Sequence, residues 1–191
     1  MKVKLGTNPL IYPIPIVLGG ANVKGRPNFE LLGDCGLMGI NPPLVYISSH
    51  KEHYTNIGVL ENKTFSINIP DTKMMSIADY CGTVSGHSTD KSMLFRVFYG
   101  ETGSAPMIEE CPVNLVCQVV HEFSIKHRQV FVGEVIQAYA GEEYVEEKEG
   151  KKGLIDLTRL DPIIYSLDNR YHSIGKPIGI GYAEAANYKK Q

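Results

Sequence analysis

LVCQVVHEFSI (residues 115–125) and VFVGEVIQAYA (residues 130–140) stand four residues apart, joined by Lys126, His127, Arg128 and Gln129. Both segments are rich in β-branched and aromatic side chains, which fill a pleated, half-buried surface well. With so short a connection they read as antiparallel neighbours. Each is long enough to curl around a barrel. Working outward, further strand signals fall at residues 14–21, 43–49 and 65–70, and the long pair itself extends over 114–125 and 129–140. In FSINIP, Phe65, Ile67 and Ile69 alternate with Ser66 and Asn68, the period of a strand with one buried face.

Helical signals are few. Asp71 is placed to cap a helix in which Met74, Ile77, Ala78 and Cys81 recur at i, i+3, i+4 and i+7, with Gly82 as its stop. A second short helix is expected to begin near His53 or Thr55 and to carry Tyr54, Ile57 and Leu60 inward. The charged stretch GEEYVEEKEGKKG (141–153) reads as a solvated hairpin tip or loop. Many strands at short spacing, with helices only as connections, predict a mainly β, closed or nearly closed antiparallel barrel. No linker or repeat divides the chain, so residues 1–191 are expected to form a single domain.

Bulk composition narrows the function classes. Hydrophobic residues make up 43% and charged residues 21% of the 191 positions, as in a soluble globular domain with a sizeable core. Nineteen basic against twenty-one acidic residues give a net charge of −2, which argues against a nucleic-acid partner, since phosphate backbones need clustered Lys and Arg. The longest apolar run, LIYPIPIVLG (10–19), is broken by two prolines and is too short to span a membrane. MKVKLGTNP at the start lacks a signal-peptide core, so a cytoplasmic location is expected. Cys35, Cys81, Cys111 and Cys117 form neither a CxxC pair nor a zinc spacing, and are expected to be free buried thiols with no metal.

Three segments carry candidate chemistry. In VYISSHKEHYTNI (45–57) an apolar run ends in Ser48 and Ser49, followed by His50, Lys51, His53 and Thr55. One account is a capping box, with Ser49 as N-cap and Glu52 three residues on. The other is an anion site, in which free amides at a helix start are joined by hydroxyls and a cation. In NVKGRPNFELLGDCGLMGINPPLVYISS (22–49) a turn at Gly25 leads to Asn28 and then to a strand spaced by Gly33, Gly36 and Gly39. Glycines weaken a strand unless the backbone bends or a ligand such as a flat ring approaches it closely. The third segment, DYCGTVSGHSTDKS (79–92), holds a helix stop, then Ser85, Gly86 and His87, then Asp90 and Lys91.

The order of these pieces resembles the flavin reductase-like, FMN-binding split-barrel family, which includes flavoredoxins and NAD(P)H:flavin oxidoreductases. The matching stretches are PIPIVLGGAN, GRPN, NPPLVYISS, HYTNI, FSINIPD, DYCG, SGHSTDK and FVGEVI, spread in order over about two thirds of the chain. Flavoredoxin is the branch it resembles most. The resemblance implies a six-stranded antiparallel Greek-key split barrel with a few short connecting helices, and a homodimer with FMN near the subunit interface. It implies that Asn28, Ser48, Ser49, Thr55 and Lys91 serve the FMN phosphate and ribityl chain. Asp34, Cys35 and Gly36, within the 33–39 segment, would lie along the isoalloxazine ring with their backbone groups, and Ser85 and Gly86 would close the site.

His127, at the turn between the long strands, matches a histidine near the flavin in such proteins and is the candidate tuning group; read alone it is an exposed turn residue. Tyr165, Arg170 and Tyr171 are candidates to cover the flavin or the dimer seam. Several relatives carry aromatics, often tryptophan, just before the Pro-Pro strand, whereas this chain has Asp34, Cys35, Gly36 and Leu37 there and no tryptophan at all. Two activities follow from the resemblance. The chain is either a flavin reductase taking hydride from NADH or NADPH, or an electron-transfer protein exchanging electrons through FMN with a redox protein or small-molecule acceptor. A third possibility is a barrel that has lost FMN.

Overall fold

The computed structural model describes residues 1–148 and 151–188. Its main sheet is built from seven strands: β1 (Val17–Val23), β2 (Arg26–Leu32), β3 (Cys35–Gly39), β4 (Leu44–His50), β5 (Thr64–Ile69), β6 (Val113–Ile125) and β7 (Arg128–Ala140). They are ordered β2-β1-β5-β6-β7-β4-β3, with every neighbouring pair antiparallel. The two outermost strands, β2 and β3, are joined by Gly33 and Asp34 alone, so the sheet must curl until its ends meet. Counted as one bent strand, β2 and β3 make the barrel six-stranded, as the resemblance implied. Its interior confirms closure: Val17, Ala21, Leu32, Cys35, Val45, Ile47, Phe65, Ile67, Cys117 and Phe131 form one buried cluster to which every strand contributes.

The long pair is bent to fit this curvature. The register of β6 on β7 shifts between Val132 and Gly133 and again between Val135 and Gln137, and such bulges add twist and bend. At Gly133 a Cβ would fall 2.6 Å from the Phe65 ring, so the glycine lets that ring fill the barrel. The β1–β2 hairpin turns on Lys24 and Gly25, with φ of 52° and 79°, the two left-handed residues of a tight hairpin turn. Most of the 141–153 stretch belongs to a separate antiparallel pair, Val145–Lys148 with Lys151–Ile155, while residues 149–150 lie outside the described residues. No helix among the described residues is long and apolar enough to cross a membrane.

Two helices flank β2. α2 (Met75–Thr83) follows a short 3-10 turn, Thr72–Met74, whose cap is Asp71 as expected, its carboxylate accepting from the amides of Lys73 and Met74. Ala78 and Cys81 pack with Leu18 and Phe29 on the outer face of β1 and β2. The helix runs through Gly82 rather than stopping there, because Gly82 lies over Leu31, where a Cβ would sit 2.9 Å from that side chain. α1 (Tyr54–Asn62) corrects a second expectation. Its buried face is Thr55, Asn56, Gly58 and Val59, whereas Ile57 and Leu60 are exposed. The cause is a polar, close-packed seam. A Cβ on Gly58 would stand 2.2 Å from the Asn22 carbonyl oxygen, so the backbone of α1 rests directly on β1.

Candidate functional site

β2 has a hydrogen-bonded neighbour on one side only, and side chains tie it to the start of α1. On this strand Asn28 and Glu30 share one face, while Phe29 and Leu31 turn toward α2. Asn28 Nδ2 donates to Thr55 Oγ1 at 2.7 Å, and His53 Nδ1 lies 2.6 Å from Glu30 Oε2. From the other side of the split, Ser49 Oγ on β4 donates to Asn56 Oδ1 at 2.8 Å, and Asn56 Nδ2 donates to the His50 carbonyl at 2.7 Å. The helix start therefore bridges β2 and β4 through side-chain bonds. The capping box does not form: the helix N-cap is His53, no side chain caps it, and Ser49 is committed to Asn56.

The opposite wall is the end of α2 and the segment after it. Asp90 caps a 3-10 turn, Lys91–Leu94, by accepting from the Ser92 amide at 3.0 Å. This turns Lys91 inward until it is only 3% exposed. Its Nζ donates to the Cys81 carbonyl at 2.8 Å, its one hydrogen-bond partner among the described residues. Burial lowers the Lys91 pKa from its ordinary value, opposed by the nearby Cys81 and Glu30. An ammonium has three donors, so this one is both desolvated and under-used.

Between these walls lies a cavity of about 240 Å³ lined by Asn28, Glu30, His53, Thr55, Ser85, Gly86 and Lys91, among others. A Cβ on Gly86 would fall 2.4 Å from Asn28 Oδ1 and 2.6 Å from the Tyr54 ring, so only glycine keeps this wall in place. Leu31 links the cavity to a second hollow of about 300 Å³, lined by Ile14, Ile16, Gly33, Asp34, Tyr165 and Tyr171. The two tyrosine rings are 5.6 Å apart, and Tyr171 donates to Asp79 Oδ1 at 2.6 Å. Burial, with the Asp79 carboxylate beside it, pushes the Tyr171 pKa up to about 12. The two hollows follow β2 from Asn28 to Asp34, about 20 Å of extended chain.

The structure thus gathers Asn28, Thr55, Ser85, Gly86 and Lys91 around one cavity and puts Asp34 in the adjoining one. Ser48, Ser49, Cys35, Gly36 and His127 line neither. Ser48 faces Arg128, which donates to its Oγ at 3.2 Å and to its carbonyl at 2.7 Å and also pairs with Asp34. Cys35 points into the barrel core, where burial pushes its thiol up to about 12. Gly36 backs onto the Tyr46 ring, 2.9 Å from where its Cβ would be. His127 packs against His50, with ring centres 4.7 Å apart and the rings tilted by 31°. Arg170 lines neither hollow and pairs with Asp168 at 3.4 Å.

Sequence reasoning passed over Glu30 and Arg128. Glu30 could have been noticed as an acid two residues beyond Asn28 on a period-2 strand. Arg128 had no local signal, since its partners are 80 and 94 residues away. Among the described residues no group of three or more His, Cys, Asp or Glu is placed to hold a metal.

Residues 11–174 match the family described as flavin reductase like domain. The fold superposes on flavoredoxin from Methanosarcina acetivorans with a TM-score of 0.91 and 42% identity, covering 98% of each chain. Against flavoredoxin of Desulfovibrio vulgaris (Miyazaki F) the TM-score is 0.88 at 29% identity, over 97% of this chain and all of that one. An FMN-binding protein from Thermus thermophilus, 21% identical over 94% of this chain and 99% of its own, shares the fold with a TM-score of 0.77. By the match over most of its length and by its identity to the first of these structures, the chain belongs to the flavin reductase like domain family.

Proposed function

We propose that this protein binds FMN and acts as an electron-transfer flavoprotein of the flavoredoxin type, with the phosphate held by Asn28, Thr55 and Lys91. The observation that carries the reading is the Lys91 ammonium, buried at 3% exposure with a single carbonyl partner among the described residues, in a cavity otherwise lined by amide and hydroxyl groups. That donor set fits a phosphate. Its oxygens take charge-assisted bonds from the ammonium and hydroxyls, and the uncapped start of α1 adds free amides and the positive end of a helix dipole. Gly86 fits as well, since a side chain there would collide with Asn28 and Tyr54. The second hollow, reached past Leu31, offers an apolar floor and two tyrosines for a flat ring system.

When bound, FMN supplies the redox chemistry, and the protein supplies binding and orientation. Lys91, Asn28 and Thr55 fix one end of the ligand, and Ile14, Ile16 and Tyr171 exclude water from the other. The likeness to two flavoredoxins over nearly the whole chain supports a carrier that meets a redox protein or a small electron acceptor. A second reading is favoured by the family match: a flavin reductase taking hydride from NADH or NADPH. Exposed Leu37, Met38 and Ile40 on and beside β3 support pairing of two copies as a homodimer.

Titration of the apoprotein with FMN, followed by stopped-flow mixing of the loaded protein with NADH and NADPH, tests the proposal. Stoichiometric FMN uptake without bleaching by either nucleotide is expected of the carrier. Bleaching within seconds would establish the reductase instead, and failure to take up FMN would overturn both.

A further inference from the structure

Glu30 is the residue of the cavity that phosphate binding does not explain. It is 5% exposed, and one carboxylate oxygen, Oε2, is fixed by His53 Nδ1 at 2.6 Å. The other, Oε1, is buried and has no hydrogen-bond partner among the described residues. Leaving a buried acceptor unpaired is costly, and more so when it is charged. Glu30 nevertheless sits in the cavity wall near Lys91, whose ammonium feels its charge.

A phosphate cannot serve this oxygen, since its own oxygens are acceptors and negatively charged. A donor that would suit it is one carried by the same ligand at some distance from its anionic end. Asn28 and Glu30 are alternate residues on one face of β2, so the two positions stand roughly 7 Å apart along the strand. The direction from Asn28 to Glu30 is also the direction toward Leu31 and the second hollow. A hydroxylated carbon chain running from a phosphate in the first cavity to a ring in the second hollow would pass Glu30 on the way. His53, by holding Oε2, leaves Oε1 as the free acceptor.

We propose that Glu30 accepts a hydrogen bond from a hydroxyl of the ligand's polyol chain, making the site selective for a hydroxylated phosphate ester over a phosphate on a plain alkyl chain. This deepens the FMN reading and rests on it.

The test uses two probes with the apoprotein: FMN, and a flavin whose N10 chain is an unsubstituted pentyl phosphate. Affinities are read from quenching of flavin fluorescence, so no turnover is needed. Wild type is expected to prefer FMN by about tenfold or more, the effect of one hydrogen bond to a charged group. In Glu30→Met, which keeps the bulk and removes the acceptor, that preference is expected to shrink by about tenfold, with the alkyl analogue bound no more weakly than by wild type. Glu30→Gln, which keeps the shape and a weaker, neutral acceptor, is expected to fall between the two. Equal wild-type affinity for both flavins, a result that needs no variant to fold, overturns the proposal. So does an unchanged preference in Glu30→Met. If wild type binds neither flavin, the FMN reading itself falls, and the role of Glu30 with it.

Discussion

Replacing Lys91 by Met separates what this residue does for the ligand from what it does for the fold. In the structure its ammonium is 3% exposed and spends one donor on the Cys81 carbonyl, leaving two for a phosphate. Charge-assisted bonds of this kind contribute roughly 1.5–3 kcal/mol, so Lys91→Met should weaken FMN binding by about 10- to 150-fold. Without ligand the same ammonium is a desolvated charge with too few partners. Met fills a similar volume with no charge to desolvate, at the loss of one hydrogen bond, so apoprotein stability should stay within about 1 kcal/mol of wild type or rise.

The pH dependence gives an independent check. Burial holds the Lys91 pKa below its ordinary 10.5, so between the lowered value and 10.5 the unfolded chain binds more protons than the folded one. The Lys91 contribution to apoprotein stability therefore increases with pH across that window, and the gap between wild type and Lys91→Met should shift in wild type's favour there. Isothermal titration with FMN and urea unfolding of both apoproteins supply the numbers. Unchanged FMN affinity in a folded Lys91→Met would refute the phosphate assignment.

Thr55→Ala removes a hydroxyl from the cavity and leaves Asn28 Nδ2 without its 2.7 Å acceptor, so FMN affinity should fall by roughly 1–3 kcal/mol and stability by about 1–3 kcal/mol, while Thr55→Ser restores most of both in titration and unfolding experiments. Gly86→Ala would set a Cβ 2.4 Å from Asn28 Oδ1, so it should lower FMN affinity and cost about 1–3 kcal/mol in urea unfolding, or more where Tyr54 cannot yield. Arg128→Ala breaks the tie between Ser48 and Asp34; because the Asp34 carboxylate is 67% exposed, a loss of about 1 kcal/mol or less is expected by thermal melting. Cys35 and Cys117, with thiols pushed by burial from 9.0 up to about 12, should resist alkylation at pH 8 until the protein unfolds. They also make stability fall as pH rises above 9, because the unfolded thiols ionise first.

The barrel was legible because its signals are local. The long pair, the alternation in FSINIP and the turn at Gly25 each declare themselves within a dozen residues, and the observed strands begin and end within a few positions of those expected. The inward face of α1 was not legible. Hydrophobicity pointed to Ile57 and Leu60, but the helix lies so close to β1 that Gly58 and small polar side chains occupy the seam. Lys91 shows the same limit in the site. Nothing beside it in sequence distinguishes it from a surface lysine, and its burial depends on Asp90 turning the chain against the end of α2. The serines near the end of β4 show the converse: their sequence suits an anion site, but in the structure Ser48 is bonded to Arg128 and Ser49 to Asn56, and neither lines the cavity.

The position of the site follows from how the barrel closes. One strand bent at Gly33 and Asp34 provides both ends of the sheet, so the β2 arm is left with an unpaired edge beside β4. An exposed edge is a hazard for aggregation and has to be covered. Here the start of α1 is tied beside it by side-chain bonds to Asn28 and Glu30 on one side and from Ser49 on the other. No side chain caps this helix, and Tyr54 and Thr55 at its start line the same cavity as Lys91. The same bend places Gly33 and Asp34 at the far end of the β2 edge, next to Tyr165 and Tyr171. A ligand lying along that edge would meet donors, then the Glu30 carboxylate, then an apolar floor, in the order that a phosphate, a polyol and a flat ring require.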